Sequence, residues 1–432
     1  MFLKRGSNLK RKLFNNLVLW GTIGVFAMIT ALILTLYVSK NYDKKEMTDE
    51  SEIEIFKSIE LSVLDKTEIQ GETQKPHYNS VSFVAVGDNI VHSTVLSDAK
   101  TLAEGTEKEY NFTPMFENIE DIIKQADFAY INQEAPIAGA HRGYSGYPMF
   151  NSPGQVVFDL AEVGFDIFNV ANNHMLDKHT TGYKSTVEFF KENGFNYIGG
   201  FENKEDYENI RVIEHDGIKI ALLSYTYGTN GLVLDAGTDM VVPLCDSYSN
   251  DEIDRQSSLA RQMADVVIVS MHWGNEHWND NLKPSWLQEE QMNILVKNNV
   301  DVIIGSHPHT LEPMMWVDRP DGKKTLVMYS LGNFLSGMEY MRNHVGGIAG
   351  FDIVKLGGET FVKNASFIPT VCHFNNRVRE FKIYRLSEYS EELLRKHGTQ
   401  VRGTDSKRNF EYLVELVKKT VPDEFLIEDF YK

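Results

Sequence analysis

Cysteine is scarce: Cys245 and Cys372 are the only two in 432 residues, and they sit in unrelated contexts. That excludes a CxxC-type zinc or redox motif. A chain of this size has no need of a disulfide staple, so two free thiols are expected. Positive charge is also short, with 43 Lys and Arg against 61 Asp and Glu and a net charge of -18. Such a balance argues against nucleic acid as a partner. No internal repeat and no low-complexity segment is present, which removes solenoids and compositionally biased linkers. Uncharged apolar runs long enough to span a bilayer are limited to one.

That run is Leu17 to Val38. At about 1.5 Å per residue its length matches a hydrocarbon core of about 30 Å. Trp20 and Tyr37 lie near its ends, where amphipathic rings prefer the interface. Lys4, Arg5, Lys10, Arg11 and Lys12 precede it, so residues 1–16 are expected in the cytoplasm and the rest outside the cell membrane. The rival is a cleaved signal peptide. The run is longer than a usual signal core, and Val38-Ser39-Lys40-Asn41-Tyr42 is a poor small-residue cleavage site. A retained single-pass anchor over residues 17–38 is the better expectation. Residues 39–79 are polar and charged with scattered apolar positions, which reads as an extracytoplasmic stalk.

From Val81 onward, apolar strands alternate with amphipathic helices. Val81–Val86, Asp127–Asn132, Asp166–Val170, Ile218–Tyr225, Val266–Ser270 and Val300–Ile304 read as buried strands. Met115–Ala126, Gln155–Val163, Thr180–Asn193, Asp251–Met263 and Pro284–Asn298 read as helices, the last with proline in its first turn. The alternation argues an α/β fold with much parallel sheet. After His309 strands dominate, beginning with a hairpin around Asp318–Gly322; a strand near Val378–Tyr384 and two helices, Glu388–His397 and Ser406–Lys419, are expected near the end. The expected domain covers residues 80–385, with a helical extension over 386–432.

The residues at the strand ends carry the chemistry. Asp88, Glu134, Asn173-His174, His272 and the pair His307 and His309 each follow an apolar run. Loops gather at that edge of a parallel sheet, and open α/β sheets bind ligands there. Alternate residues of an extended chain point the same way, so His307 and His309 are expected to face one point. Taken singly, Asp88 reads as a turn residue, Asn173 as a helix cap and His272 as a packed histidine. Together, carboxylate, amide and imidazole donors with one shared carboxylate describe a two-metal site for Mn, Zn or Fe.

Gly87-Asp88, Asn132-x-Glu134, Ala171-Asn172-Asn173-His174, His272-Trp273-Gly274-x-Glu276, Gly305-x-His307-Pro308-His309 and Ser330-Leu331-Gly332-Asn333-Phe334 occur in that order. This set resembles the CapA-type capsule and poly-γ-glutamate biosynthesis proteins, whose fold is similar to the calcineurin-like metallophosphoesterases. The resemblance runs from about Val81 to Phe334 and includes the N-terminal anchor. It implies a four-layer sandwich, helices outside two central sheets, binding one or two divalent ions. Asp88 and His309 would hold one ion, and Asn173, His272 and His307 the other, with Glu134 bridging. His174 would serve as general acid or hydrogen-bond donor, oriented by Asp177.

One departure stands out: the phosphoesterases usually place a histidine two residues after the first aspartate, and here that residue is Ile90. His92 is near but wrongly spaced, which leaves the Asp88 position one ligand short. The implied partners are a membrane-bound polymer synthase or ligase and an anionic polymer such as poly-γ-glutamate. An acidic domain repels such a polymer, so contact is expected at the metal cleft or a basic patch such as Lys323-Lys324. The alternatives are a general surface phosphoesterase and a non-catalytic scaffold with a structural metal site.

Overall fold

The computed structural model describes residues 79–276, 282–399 and 409–427. The expected anchor, most of the stalk and part of the C-terminal extension lie outside the described residues. Among the described residues no helix is long and apolar enough to cross a membrane.

The first strands and helices follow in order: β1 (Asn79–Asn89), α1 (Ser93–Leu102), α2 (Thr113–Phe116), α3 (Glu120–Gln125), β2 (Phe128–Gln133), α4 (Gln155–Val163), β3 (Ile167–Asn169), α5 (His179–Glu192), β4 (Asn196–Ile198) and α6 (Lys204–Glu208). The middle holds β5 (Arg211–His215), β6 (Ile218–Thr226), α7 (Asn250–Met263), β7 (Val266–His272), α8 (Trp286–Lys297), β8 (Val302–Ser306), β9 (Leu311–Asp318) and β10 (Lys324–Leu331). The chain closes with β11 (Asn333–Leu335), β12 (Val345–Leu356), β13 (Glu359–His373), β14 (Lys382–Arg385), α9 (Glu391–Lys396) and α10 (Phe410–Thr420).

Two mixed sheets result. One runs β14-β13-β12-β1-β2-β3-β4, with β11 also paired to β1; the other runs β5-β6-β7-β8-β10-β9. Strands β1 to β4 are parallel, as are β6, β7, β8 and β10. Because strand side chains alternate, each sheet has an inner and an outer face. Val81, Phe83 and Ala85 of β1 meet Ile218, Ile220, Val302 and Leu326 in a core between the sheets. The opposite faces, with Val86, Ile131 and Phe168 on one sheet and Leu223, Val269 and Ile303 on the other, pack under helices. Four layers follow, helices outside both sheets, as the sequence led one to expect. Helix α10 adds Leu413, Leu416 and Val417 to the core between the sheets.

Three local expectations are corrected. The single helix over Met115–Ala126 is two short ones, α2 and α3, because Ile119 leaves the helical region between them. Pro284 precedes α8 instead of sitting in its first turn: Ser285 is the N-cap, and with Gln288 it forms a reciprocal capping box. The strand expected near Val378 begins only at Lys382, since Val378 and Glu380 have positive φ of 57° and 60°.

Candidate metal centre

The carboxyl ends of β1, β2, β7 and β8 meet at one edge of the sandwich, so both sheets contribute. Asp88 ends β1, Glu134 follows β2, His272 ends β7, and His307 and His309 follow β8. All five are buried, as are Asn173, His174 and Asp177. The chain can afford Asp88 there because Gly87 lets β1 approach β11 closely; a Cβ at Gly87 would lie 1.8 Å from the Gly332 carbonyl oxygen. Gly305 plays the same part between β8 and β10, with 1.9 Å to the Tyr329 carbonyl oxygen.

Two groups of three emerge: Glu134 with His272 and His307, and Asp88 with Glu134 and His309. Within each, one ligand-type atom per residue lies within 4.8 Å of the others. Glu134 belongs to both. Its Oε1 lies 3.5 Å from His309 Nε2 and 3.8 Å from His272 Nε2, yet it has no hydrogen-bond partner. A fully buried carboxylate with an unsatisfied oxygen is costly. Burial first, and the nearby Asp88 charge second, push the Glu134 carboxyl well above the usual range. Asn173 Oδ1 joins the first group, 3.0 Å from His272 Nε2. Lone pairs from carboxylate, amide and imidazole thus converge on small gaps, with Glu134 Oε2 taking an N–H from Asn132 at 3.4 Å and Oε1 left without a partner. This donor set fits a divalent transition ion.

Contrary to expectation, the two histidines after β8 do not converge by extended alternation. His307 has φ of 95° and His309 of 56°, both in the left-handed region that β-carbon sterics disfavour. The turn is held because the His307 N–H donates to Asp88 Oδ2 at 3.2 Å. The rings, 5.7 Å apart edge to face, consequently join different groups. His309 Nδ1 faces two acceptors, Asp88 Oδ2 at 3.1 Å and Asn333 Oδ1 at 3.0 Å, so its proton sits there and Nε2 is left toward Glu134. Burial is the largest single influence and disfavours charge on this ring, but the bond to Asp88, the charge of Asp88, the charge of Glu276 and the bond to Asn333 together outweigh burial and raise the ring's affinity for a proton.

Asp88 is heavily engaged. Besides the two bonds to Oδ2, its Oδ1 accepts from Asn132 Nδ2 at 2.7 Å. Ile90 is buried where the sequence comparison looked for another histidine. His92 does reach the neighbourhood, but its Nδ1 accepts the Gly337 N–H at 3.1 Å. Burial, then the charge of His309, lower its pKa to about 3. His174 Nδ1 bonds Asp177 Oδ2 at 2.8 Å, and that same oxygen accepts the Phe150 N–H at 2.7 Å.

Several supporting residues had no role assigned from the sequence. Asn132 is the centre of an amide chain: its Oδ1 accepts from Asn169 Nδ2 at 2.8 Å while its Nδ2 serves Asp88. Its place two residues before Glu134, on one strand face, was the available signal. Tyr227 packs on His307 with ring centroids 4.3 Å apart, and no motif marked it. Of the tryptophans near His272, Trp273 is core, donating to the Tyr329 carbonyl at 2.9 Å, and Trp286 is exposed. Trp278 lies outside the described residues. Lys323 and Lys324 sit at the β9–β10 hairpin, as expected, where Lys323 donates to the Thr360 carbonyl and Lys324 pairs with Asp318.

Two mixed sheets under helices, with ligand-type triads sharing one carboxylate at the strand ends, define a metallophosphatase-like protein. Residues 82–338, more than half of the chain, match the family described as bacterial capsule synthesis protein PGA_cap, and the chain belongs to it. It is 31% identical over 241 residues to a capsule biosynthesis protein CapA of Bacillus anthracis, covering 54% of this chain and 56% of that protein. It is 27% identical over 252 residues to a PGA biosynthesis protein CapA of Bacillus subtilis, covering 57% and 63% respectively. The chain therefore spans less than two thirds of either relative. Among solved structures, a phosphatase from Mycoplasma pneumoniae overlaps with a TM-score of 0.40 at 14% identity, over 68% of this chain and 95% of that one. A calcineurin-like phosphoesterase from Bacillus subtilis gives 0.39 at 12%, over 79% and 97%. Superpositions this loose say nothing about individual residues.

Proposed function

We propose that this protein supports synthesis or export of a capsule polymer, poly-γ-glutamate or a similar anionic chain, through a metal centre of phosphoesterase type on the outer face of the cell membrane. The observation that carries the reading is Glu134: a buried carboxylate, shared by two donor triads, with one oxygen unpartnered. Family membership supports the biological setting. Residues 17–38 would anchor the protein beside a membrane-bound polymer synthase or ligase.

Glu134, Asn173, His272 and His307 would hold one divalent ion, Mn, Zn or Fe. Asp88, Glu134 and His309 would hold a second, more weakly, because both Asp88 oxygens are already hydrogen-bonded and Ile90 supplies no ligand. Bound metal supplies Lewis acidity and lowers the pKa of a water. Asp177 accepts a hydrogen bond from the Nδ1–H of His174 and fixes the ring, leaving Nε2 for the cavity beside Glu134 and His309. In the doubly protonated ring, Nε2–H can give its proton to a leaving oxygen or hydrogen-bond developing charge. Phe150, edge-on to His174 at 4.6 Å between centroids, shields that ring from bulk water.

Metal content decides the reading. The purified protein is compared with a His307→Ala, His309→Ala variant whose folding is checked by circular dichroism. One tightly held equivalent of a transition metal, with a second only at high loading, is expected in the parent and lost in the variant. No metal under any loading condition would sink the enzyme reading and leave a scaffold.

A further inference from the structure

Beside Glu134, His174 and His309 lies an open cavity of about 410 Å³. That size suits one ring and a reacting group, not a folded length of polymer. Its wall is apolar and aromatic: Ile90, Phe150 and Met338, with Tyr147 and Tyr340 toward the mouth. Tyr147 is 73% exposed although it stacks edge-on against Phe150, so one large ring stands at the entrance with little cover. Glu276 and Glu339, both exposed, also line it, with His92 and Gly337. The charge of Glu276 reaches both Glu134 and His309. Among the described lining residues there is no lysine or arginine. Arg342, which follows this segment closely, is buried with its guanidinium 4.3 Å from the Tyr340 ring centroid.

These features pull in one direction. Aromatic and aliphatic walls favour a ring of low polarity. Two carboxylates at the mouth disfavour any anionic group beyond the one that a metal would hold. A polyanion threading this opening would meet Glu276 and Glu339 before it met the centre. We propose that the substrate is a phosphoester carrying an uncharged, ring-bearing organic group that stacks between Tyr147, Phe150 and Tyr340, and that the anionic polymer itself does not enter the site. The proposal rests on the metal-centre reading above and names the substrate class for that same site.

Three phosphonates that cannot be hydrolysed test it on the full-length, Mn-loaded protein by calorimetry: methylphosphonate, phenylphosphonate and 4-carboxyphenylphosphonate. The ring should tighten binding by about tenfold over methyl. The added carboxylate should remove most of that gain. Tyr147→Ala should bring phenylphosphonate toward methylphosphonate, and the double variant Glu276→Gln, Glu339→Gln should restore the carboxylated ring. If metal-dependent binding of methylphosphonate is found without any gain from the ring, or if the carboxylated ring binds tightest, the substrate class is wrong and the metal centre stands. If no phosphonate binds better to metal-loaded than to metal-free protein, both fall.

Discussion

At the scale of single residues, Glu134 is a fully buried carboxylate whose Oε1 has no hydrogen-bond partner. A glutamine there keeps the shape and removes the charge that burial opposes. Glu134→Gln should therefore raise the thermal midpoint of the metal-free protein, by the equivalent of about 1–3 kcal/mol for an unsatisfied buried group, while metal content falls below one equivalent. A lower midpoint with metal retained would show that the carboxylate is structural. Asp177 separates orientation from ligation in the same way. Asp177→Asn keeps an acceptor for the Phe150 N–H but weakens the hold on the His174 proton. Metal content should stay unchanged while turnover of a phosphoester drops by roughly 10²-fold; loss of metal instead would place Asp177 in the structural support of Asn173.

At the scale of elements, much of the site was legible because strand ends are local signals. An apolar run followed by Asp88, or by His307-Pro308-His309, announces itself within ten residues. What stayed hidden is long-range. The role of Asn132 depends on Asp88 44 positions earlier and on Asn169 37 positions later. The cavity wall comes from 147–150 and 337–340, which no periodicity links. The turn at His307 and His309 defied an extended reading because its strain is offset by a carboxylate 219 positions away. Glycine spacing belongs to this scale too. Gly87→Ala forces a Cβ into the Gly332 carbonyl, which is backbone and cannot swing aside. The end of β1 must shift and carry Asp88 with it, at a cost of about 3 kcal/mol or more. A urea midpoint within experimental error of the parent would show that β11 yields instead.

At the scale of the whole molecule, charge and burial set the response to acid. His373 and His397 belong to neither donor triad and are buried. Burial chiefly lowers the pKa of His373 to about 4 and holds His397 well below its ordinary 6.5, with His344 adding to the latter. A depressed folded-state pKa gives stability that is complete above pH 6.5 and declines as pH falls, because the unfolded chain takes protons that the folded one refuses. His373 should cost about 2 kcal/mol by pH 5, and His397 acts in the same direction. Urea midpoints at pH 7.5 and 5 should show the loss, and His373→Gln should flatten the curve by its share. An unchanged slope in that variant would mean that the ring titrates normally in the fold.

The α/β class was readable from the alternation of strands and helices, and the two sheets with helices outside from the resemblance, yet the strand order was not, because β12, β13 and β14 return to flank β1 after the second sheet is complete. That return has a consequence in time. Strand β1 is synthesised early, but one of its neighbours, β12, ends at Leu356. A nascent copy that has just passed His309 already carries every donor of the centre, from Asp88 to a residue 221 positions later, and still lacks the strand that holds β1 in register. The proposed centre thus takes its shape only after β12 is made, well after its last donor has been synthesised.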